Sequence, residues 1–210
     1  MANSLSSYAI FESRDWEIVS AHISDLPSLL RFATRCTIEA PHQRIHMPAG
    51  EEAWRYLISS GDVVCAKGAD GHIAGVYATN QFAKTQDAEA LQSARAARNV
   101  LCNRFRYSEE LVAFGSIALV ERRLPHSEVR LRMLRELLRS AGYRYRCLFN
   151  VVEKSNHEEM NLLPLEGWRC FHEEDDACYM MLDIAKGLRQ LASSLVLPMP
   201  QRPVARAASV

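Results

Sequence analysis

Along this chain the apolar positions change period several times, and the changes mark out its elements. Trp16 to Ala21 reads as a strand, and Leu26, Leu29, Leu30 and Ala33 then recur at helical spacing. Ser24 or Asp25 is the expected cap of that helix, which runs to about Thr37 before Pro41 breaks the pattern. A loop from Glu39 to Gly50 precedes a short helix, about Gly50 to Ile58, with Trp54 and Leu57 facing inward as core anchors. Val63 to Ala66 and Ile73 to Thr79 are two arms around Ala69-Asp70-Gly71, and Asp-Gly between apolar runs is a strong hairpin signal. Asp87 to Phe105, rich in Ala, Leu and Arg, reads as an inserted helix. Leu111 to Val120 is a continuous apolar strand.

A third long helix is expected from Pro125 to Ala141, with Ser127 as N-cap and Gly142 as its stop. Its buried stripe is Val129, Met133, Leu134, Leu137, Leu138 and Ala141, with Arg132, Arg135 and Arg139 on the solvated side. Cys147 to Val152 is a strand and Asn156 to Leu165 a short helix. Gly167-Trp168, another core anchor, leads into a final strand pair, about Arg169 to Glu173 and Cys178 to Asp183. After Gly187 a weak helix is expected, then a Pro/Arg/Ala tail from Leu197 to Val210 without fixed structure. The order β-α-α-β-β-(α)-β-α-β-α-β-β requires crossovers, so the centre of a mixed α/β sheet should pair in parallel. One domain over residues 1–186, with an insertion at about 81–108 and a tail over 187–210, accounts for the length.

Charge narrows the functions. The 210 residues carry 25 basic and 25 acidic side chains, so no whole-protein field for nucleic acid exists. No apolar run reaches the roughly 20 residues of a membrane span, and the first residues lack the form of a signal peptide, so a cytoplasmic location is expected. The six cysteines include no CxxC pair and read as buried free thiols. No metal site is expected. His42-x-x-x-His46 sits in a loop between Pro41 and Pro48, and His157-Glu158-Glu159 has Asn161 where a zincin needs its second His. Cys147 has no local His partner and reads as structural. Arg95, Arg98, Arg104 and Arg106 give the insertion a basic, solvated face that could also dock an acidic carrier.

Three patterns in this order resemble the GNAT superfamily of N-acyltransferases. Ala21 to Leu30 resembles its opening strand-to-helix turn, and Ser116-Ile117-Ala118-Leu119-Val120 its fourth strand. Asn156, followed by Gly167-Trp168, resembles its Asn…Gly-Phe ending. The resemblance spans about Trp16 to Asp183. It implies a sheet whose central strands splay apart, flanked by helices, with a helical insertion between the third and fourth strands. It also implies transfer of an acyl group from an acyl-CoA or acetyl-CoA thioester to a primary amine of a small molecule or protein. The backbone of Ala118, Leu119 and Val120 would pair with the pantetheine arm, and His126, Ser127, Val129, Arg130 and Asn156 would lie along the donor. His42, Arg44 and His46 fall in the family's acceptor loop.

Three positions depart from the family's pattern. The pyrophosphate loop has no glycine, and Glu128 adds a negative charge there, which Arg122, Arg123, His126 and Arg130 would offset. The strand position that usually holds a base is Phe114, so Ser116, through water, and Glu110 are the candidates for handling the proton. The position of the tyrosine acid is Leu163. Autoinducer synthases share this fold, take acyl chains from acyl carrier protein and carry a similar insertion, which makes acyl-acyl carrier protein the alternative donor. A catalytically silent binding module is the alternative from another class.

Overall fold

The computed structural model describes residues 16–39, 50–81, 99–103, 106–121 and 124–194. Among these residues seven strands form one sheet. They are β1 (Trp16–Ser20), β2 (Val63–Gly68), β3 (Ile73–Gln81), β4 (Val112–Val120), β5 (Cys147–Glu153), β6 (Arg169–Glu173) and β7 (Ala177–Asp183), in the spatial order β1-β2-β3-β4-β5-β7-β6. All these neighbours are antiparallel except β4 and β5, whose connection crosses over through a long helix.

The helices are α1 (Leu26–Glu39), α2 (Gly50–Ser59), α3 (His126–Ala141), α4 (His157–Leu165) and α5 (Ile184–Ser194), and residues 99–103 form a further helical stretch. On one face α1 and α2 bury Leu29, Phe32, Trp54 and Leu57 against Val63, Cys65, Val76 and Ala78 of the sheet. On the other, Met133, Leu134, Leu137 and Leu138 of α3 pack with Leu163 of α4 and Leu191 of α5 on Tyr77, Ala113, Leu148 and Met180. Alternation along β4 and β5 sends successive residues to the two faces. Val112, Phe114, Cys147 and Phe149 therefore form a separate apolar cluster, closed by Tyr179 and by Leu101 of the insertion.

Several expectations change. His22, not Ser24, accepts at the head of the turn before α1, and Asp25 completes that cap by accepting the His22 N–H at 3.0 Å. Pro125 stands at the N-cap of α3 with no side-chain cap bond, so Ser127 lies inside the helix. Gly142 does end α3, in right-handed rather than left-handed geometry: a Cβ there would lie 2.9 Å from the Leu138 carbonyl oxygen. The last helix begins at Ile184, straight from β7, and its Leu191 is buried, so the packed domain extends past 186 to about Ser194. Most of the insertion, with Arg95, Arg98 and Arg104, and the tail beyond 194 lie outside the described residues.

Candidate functional site

The sheet opens at its centre. β4 and β5 pair only through Val112–Cys147, Ala113–Leu148 and Phe114–Phe149. Beyond these rows β4 keeps only β3 as partner and β5 only β7. The parting has a local cause. Thr79 of β3 faces Ser116 and Asn80 faces Phe114, which leaves Gly115 as an extra residue on β4. Such a bulge bends its strand and increases its twist. It falls next to the last residue shared with β5, so the two parallel strands diverge toward their C-terminal ends; on β5 the Val151 N–H there donates to the Asn150 side chain at 3.0 Å. The apex is closed by the Phe114 and Phe149 rings, whose centroids are 5.4 Å apart.

The helices that follow these strands, α3 and α4, begin at the wide end of the gap on the same face of the sheet. Helix starts present unpaired N–H groups and a positive dipole end, a setting for an anion. The first turn of α3 has no capping side chain. Ser127 there is exposed, and Glu128 is paired with Arg132 at 2.8 Å. In α4 the Asn156 side chain accepts the Glu159 N–H at 3.2 Å.

A buried ionic cluster ties the two helices together. Arg130, one turn into α3, is only 1% exposed. Its guanidinium donates through both terminal nitrogens to the two oxygens of Glu159, each at 2.6 Å, and through Nε to Glu166. Glu166 also accepts from the Tyr77 hydroxyl at 3.0 Å and the Trp168 indole at 3.2 Å. Burial raises the Glu166 carboxyl above its ordinary range, and the Arg130 charge pulls it partly back. Burial opposes the charge on Arg130, but its bonds to Glu159 and the field of Glu166 outweigh that and hold the proton more tightly than usual. Arg130 thus fixes the spacing of α3 and α4 at the mouth of the gap.

No known protein family's sequence pattern matches this chain, and no curated protein sequence does either. Solved structures do. The ribosomal-protein-alanine N-acetyltransferase of Brucella melitensis superposes with a TM-score of 0.52 at 16% identity, covering 80% of this chain and 99% of that one. A GCN5-related N-acetyltransferase from Kribbella flavida gives 0.54 at 17% identity, covering 82% and 99%. Salmonella typhimurium yncA, solved with its cofactor acetyl-CoA, gives 0.54 at 10% identity, covering 81% and 94%. The chain has the GNAT fold. At these identities the likeness is one of fold, and it agrees with the fold that the resemblance implied.

Within the GNAT fold the anticipated residues fall in different places. Ala118, Leu119 and Val120 line the free part of β4; the side chains of Leu119 and Val120 are buried on opposite faces, which leaves the backbone for the gap. Ser127 stands at the α3 start and Asn156 caps α4, both at the mouth. Val129 faces the core. Arg130 offers no free charge to an anion, because its side chain is turned inward and matched with Glu159 and Glu166. Ser116 follows the bulge, and of it and His126 only the backbone is described. Glu110 is not on the strand: it lies in a 3-10 turn, Glu109–Leu111, exposed and beyond the paired rows from the gap. His42, Arg44, His46, Arg122 and Arg123 lie outside the described residues. Cys147 is buried in the paired rows, and burial pushes its thiol up to about 12, so it is no nucleophile at neutral pH.

Phe114 and Leu163 are both buried core residues. Sequence reading passed over Tyr77 and Glu166. A lone Tyr in an apolar strand and a Glu before Gly-Trp give no periodic signal, and only the fold brings them to Arg130. The bulge at Gly115 was legible in principle, since a glycine inside an apolar strand often marks one.

Proposed function

We propose that this chain is an N-acyltransferase that moves an acyl group from a thioester, acyl-CoA or acetyl-CoA, to a primary amine of a small molecule or a protein. The observation that carries this reading is the opened β4–β5 pair with the uncapped start of α3 at its wide end. A pantetheine arm fits a free strand edge by adding hydrogen bonds to Ala118–Val120. The pyrophosphate is taken at the α3 start by the backbone near His126 and Ser127, with Asn156 at the opposite wall. The amine attacks the thioester carbonyl, a C–N bond forms, the C–S bond breaks, and the donor leaves as a thiol. A backbone N–H near Leu119 holds the oxyanion. The amine proton leaves through water, with Ser116 as relay, and returns to the departing thiolate. Positioning supplies most of the acceleration in this scheme. His42, Arg44 and His46 contact the acceptor, and the location is cytoplasmic.

One observation favours a second reading, a silent module that binds a donor or a partner without turnover. The apex of the gap is lined by Phe114 and Phe149, neither of which can move a proton. Calorimetry with acetyl-CoA, a long-chain acyl-CoA and an acyl carrier protein, followed by thiol-release assays with a broad amine panel, separates the readings. Micromolar CoA binding with thiol release supports the enzyme. Binding only to the carrier protein selects the autoinducer-synthase type of donor. Binding without release from any amine leaves the silent module.

A further inference from the structure

The β6–β7 ribbon brings together three donor side chains, those of Cys170, Glu173 and Cys178. Glu173 and Cys178 are direct cross-strand partners, and Cys170 faces Met180. Regular alternation would place Cys170 on the opposite face from Cys178. A bulge at Phe171, between the Cys170–Met180 and His172–Tyr179 rows, reverses this. Cys170 then shares a face with Glu173 and Cys178. The two sulfurs and a Glu173 oxygen all lie within 4.8 Å of one another, and Cys170 Sγ is 3.7 Å from Glu173 Oε1.

We propose that Cys170, Glu173 and Cys178 form a binding site for a zinc-type divalent ion at this edge of the sheet, separate from the β4–β5 gap. Tetrahedral zinc with Zn–S bonds of about 2.3 Å sets two sulfurs roughly 3.8 Å apart, so the donors need shift by only about 1 Å to close on it. Two thiolates and one carboxylate select zinc or cadmium over magnesium or calcium. Cys178 is buried and holds one ligand firmly, while Cys170 and Glu173 are exposed and give the ion its way in. His172 points to the other face, with its ring 5.2 Å from Tyr179, so it is not the fourth ligand. Three protein ligands leave one position for water or for a group from outside. Binding displaces the Cys170 Sγ bonds to the His172 carbonyl at 3.2 Å and to Glu173 Oε1 at 3.7 Å, and the Lys154 pair with Glu173 at 3.3 Å.

The test uses the full chain, reduced and stripped of metal, titrated with cobalt(II). The expected result is a thiolate-to-cobalt charge-transfer band saturating at one ion per chain and removed by zinc. Cys170→Ser, on an exposed edge strand, should lose most of the band while leaving the thermal midpoint of the metal-free protein unchanged. Glu173→Gln should weaken binding by at least the roughly 10–100-fold that even an outer-shell change costs. Zinc should raise the thermal midpoint of the parent and not of Cys170→Ser. Absence of the band in reduced protein overturns the proposal, as does a band untouched by both substitutions. If the reduced chain binds no cobalt but loses two thiols in air, and Cys170→Ser prevents that loss, the pair is a disulfide couple and the metal site is refuted.

Discussion

Replacing Arg130 with Met tests whether the buried cluster is what holds α3 and α4 at their spacing. Met keeps most of the stem volume and removes the charge and all three donated bonds. Glu159 keeps some solvent, with 21% of its side chain exposed, but Glu166 has 3% and would be left with Tyr77 and Trp168 alone. Breaking one side of a buried ion pair costs about 3–5 kcal/mol. For a domain of this size that is a fall in Tm of roughly 6–20 °C. Urea unfolding followed by circular dichroism gives the value at neutral pH. The pH dependence identifies the cause. Burial already raises the Glu166 carboxyl above 4.5, and without Arg130 it rises further. The unfolded carboxyl titrates at its ordinary value, so between the two values the folded state binds the extra proton. Stability of the variant should therefore increase as pH falls from neutral toward 4.5, and a second change, Glu166→Gln, should recover much of the loss at neutral pH. A loss below about 0.5 kcal/mol, within the range of ordinary surface changes, refutes the reasoning.

Three further outcomes follow from single contacts. Glu128→Gln removes a negative charge from the first turn of α3, and should tighten CoA binding by calorimetry about 2–5-fold, the equivalent of 0.3–1 kcal/mol at a helix start. Gly167 has φ +95°, and a Cβ there would lie 3.0 Å from Gln190 Oε1, so Gly167→Ala should cost about 1–3 kcal/mol by chemical unfolding. Burial works against the Asp25 carboxylate, but its Lys67 bond at 2.6 Å and the His22 N–H outweigh it and lower its pKa. The stability it adds is present above the ordinary 3.8 and lost as pH falls below it. Asp25→Asn should thus cost about 1 kcal/mol at pH 7 and almost nothing in the acid limb of a stability–pH curve.

The order of elements was legible because each long segment kept one period. The α3 stripe from Val129 to Ala141 and the apolar run of β4 could hardly be read otherwise, and together they forced a parallel crossover. Boundaries set by a local bond were less so. His22 heads the first turn because its ring accepts from Ser24 N–H, a role more often filled by Ser or Asp. Glu110 just precedes the apolar run of β4, and the 3-10 turn Glu109–Leu111 keeps it off the strand's alternation. The resemblance sets Arg130 along the donor, whereas the structure turns it into the core. Its partners come from 29 and 36 residues away and could not be read locally. Cys170 and Cys178 were dismissed for lacking CxxC spacing, whereas hairpin register and one bulge decide their proximity.

The altered positions at the gap have a physical logic of their own. Phe114 stacks near Phe149, which in turn packs near Phe171 and Tyr179, and Leu101 of the insertion closes the same cluster. A carboxylate at Phe114 would therefore be buried among rings without a partner, a cost of several kcal/mol that the aromatic packing avoids. Leu163 is equally enclosed, 0% exposed on the α3 face, so a tyrosine there would overpack the core before its hydroxyl reached the gap. A carboxylate at Phe114 or a tyrosine at Leu163 should therefore destabilise the domain rather than quicken it. The proposed reaction therefore works with backbone donors, water relayed by Ser116 and the fixed spacing of α3 and α4. That is also why the Arg130 cluster, which touches no reacting atom, matters more to the proposed reaction than its distance from the β4 edge suggests.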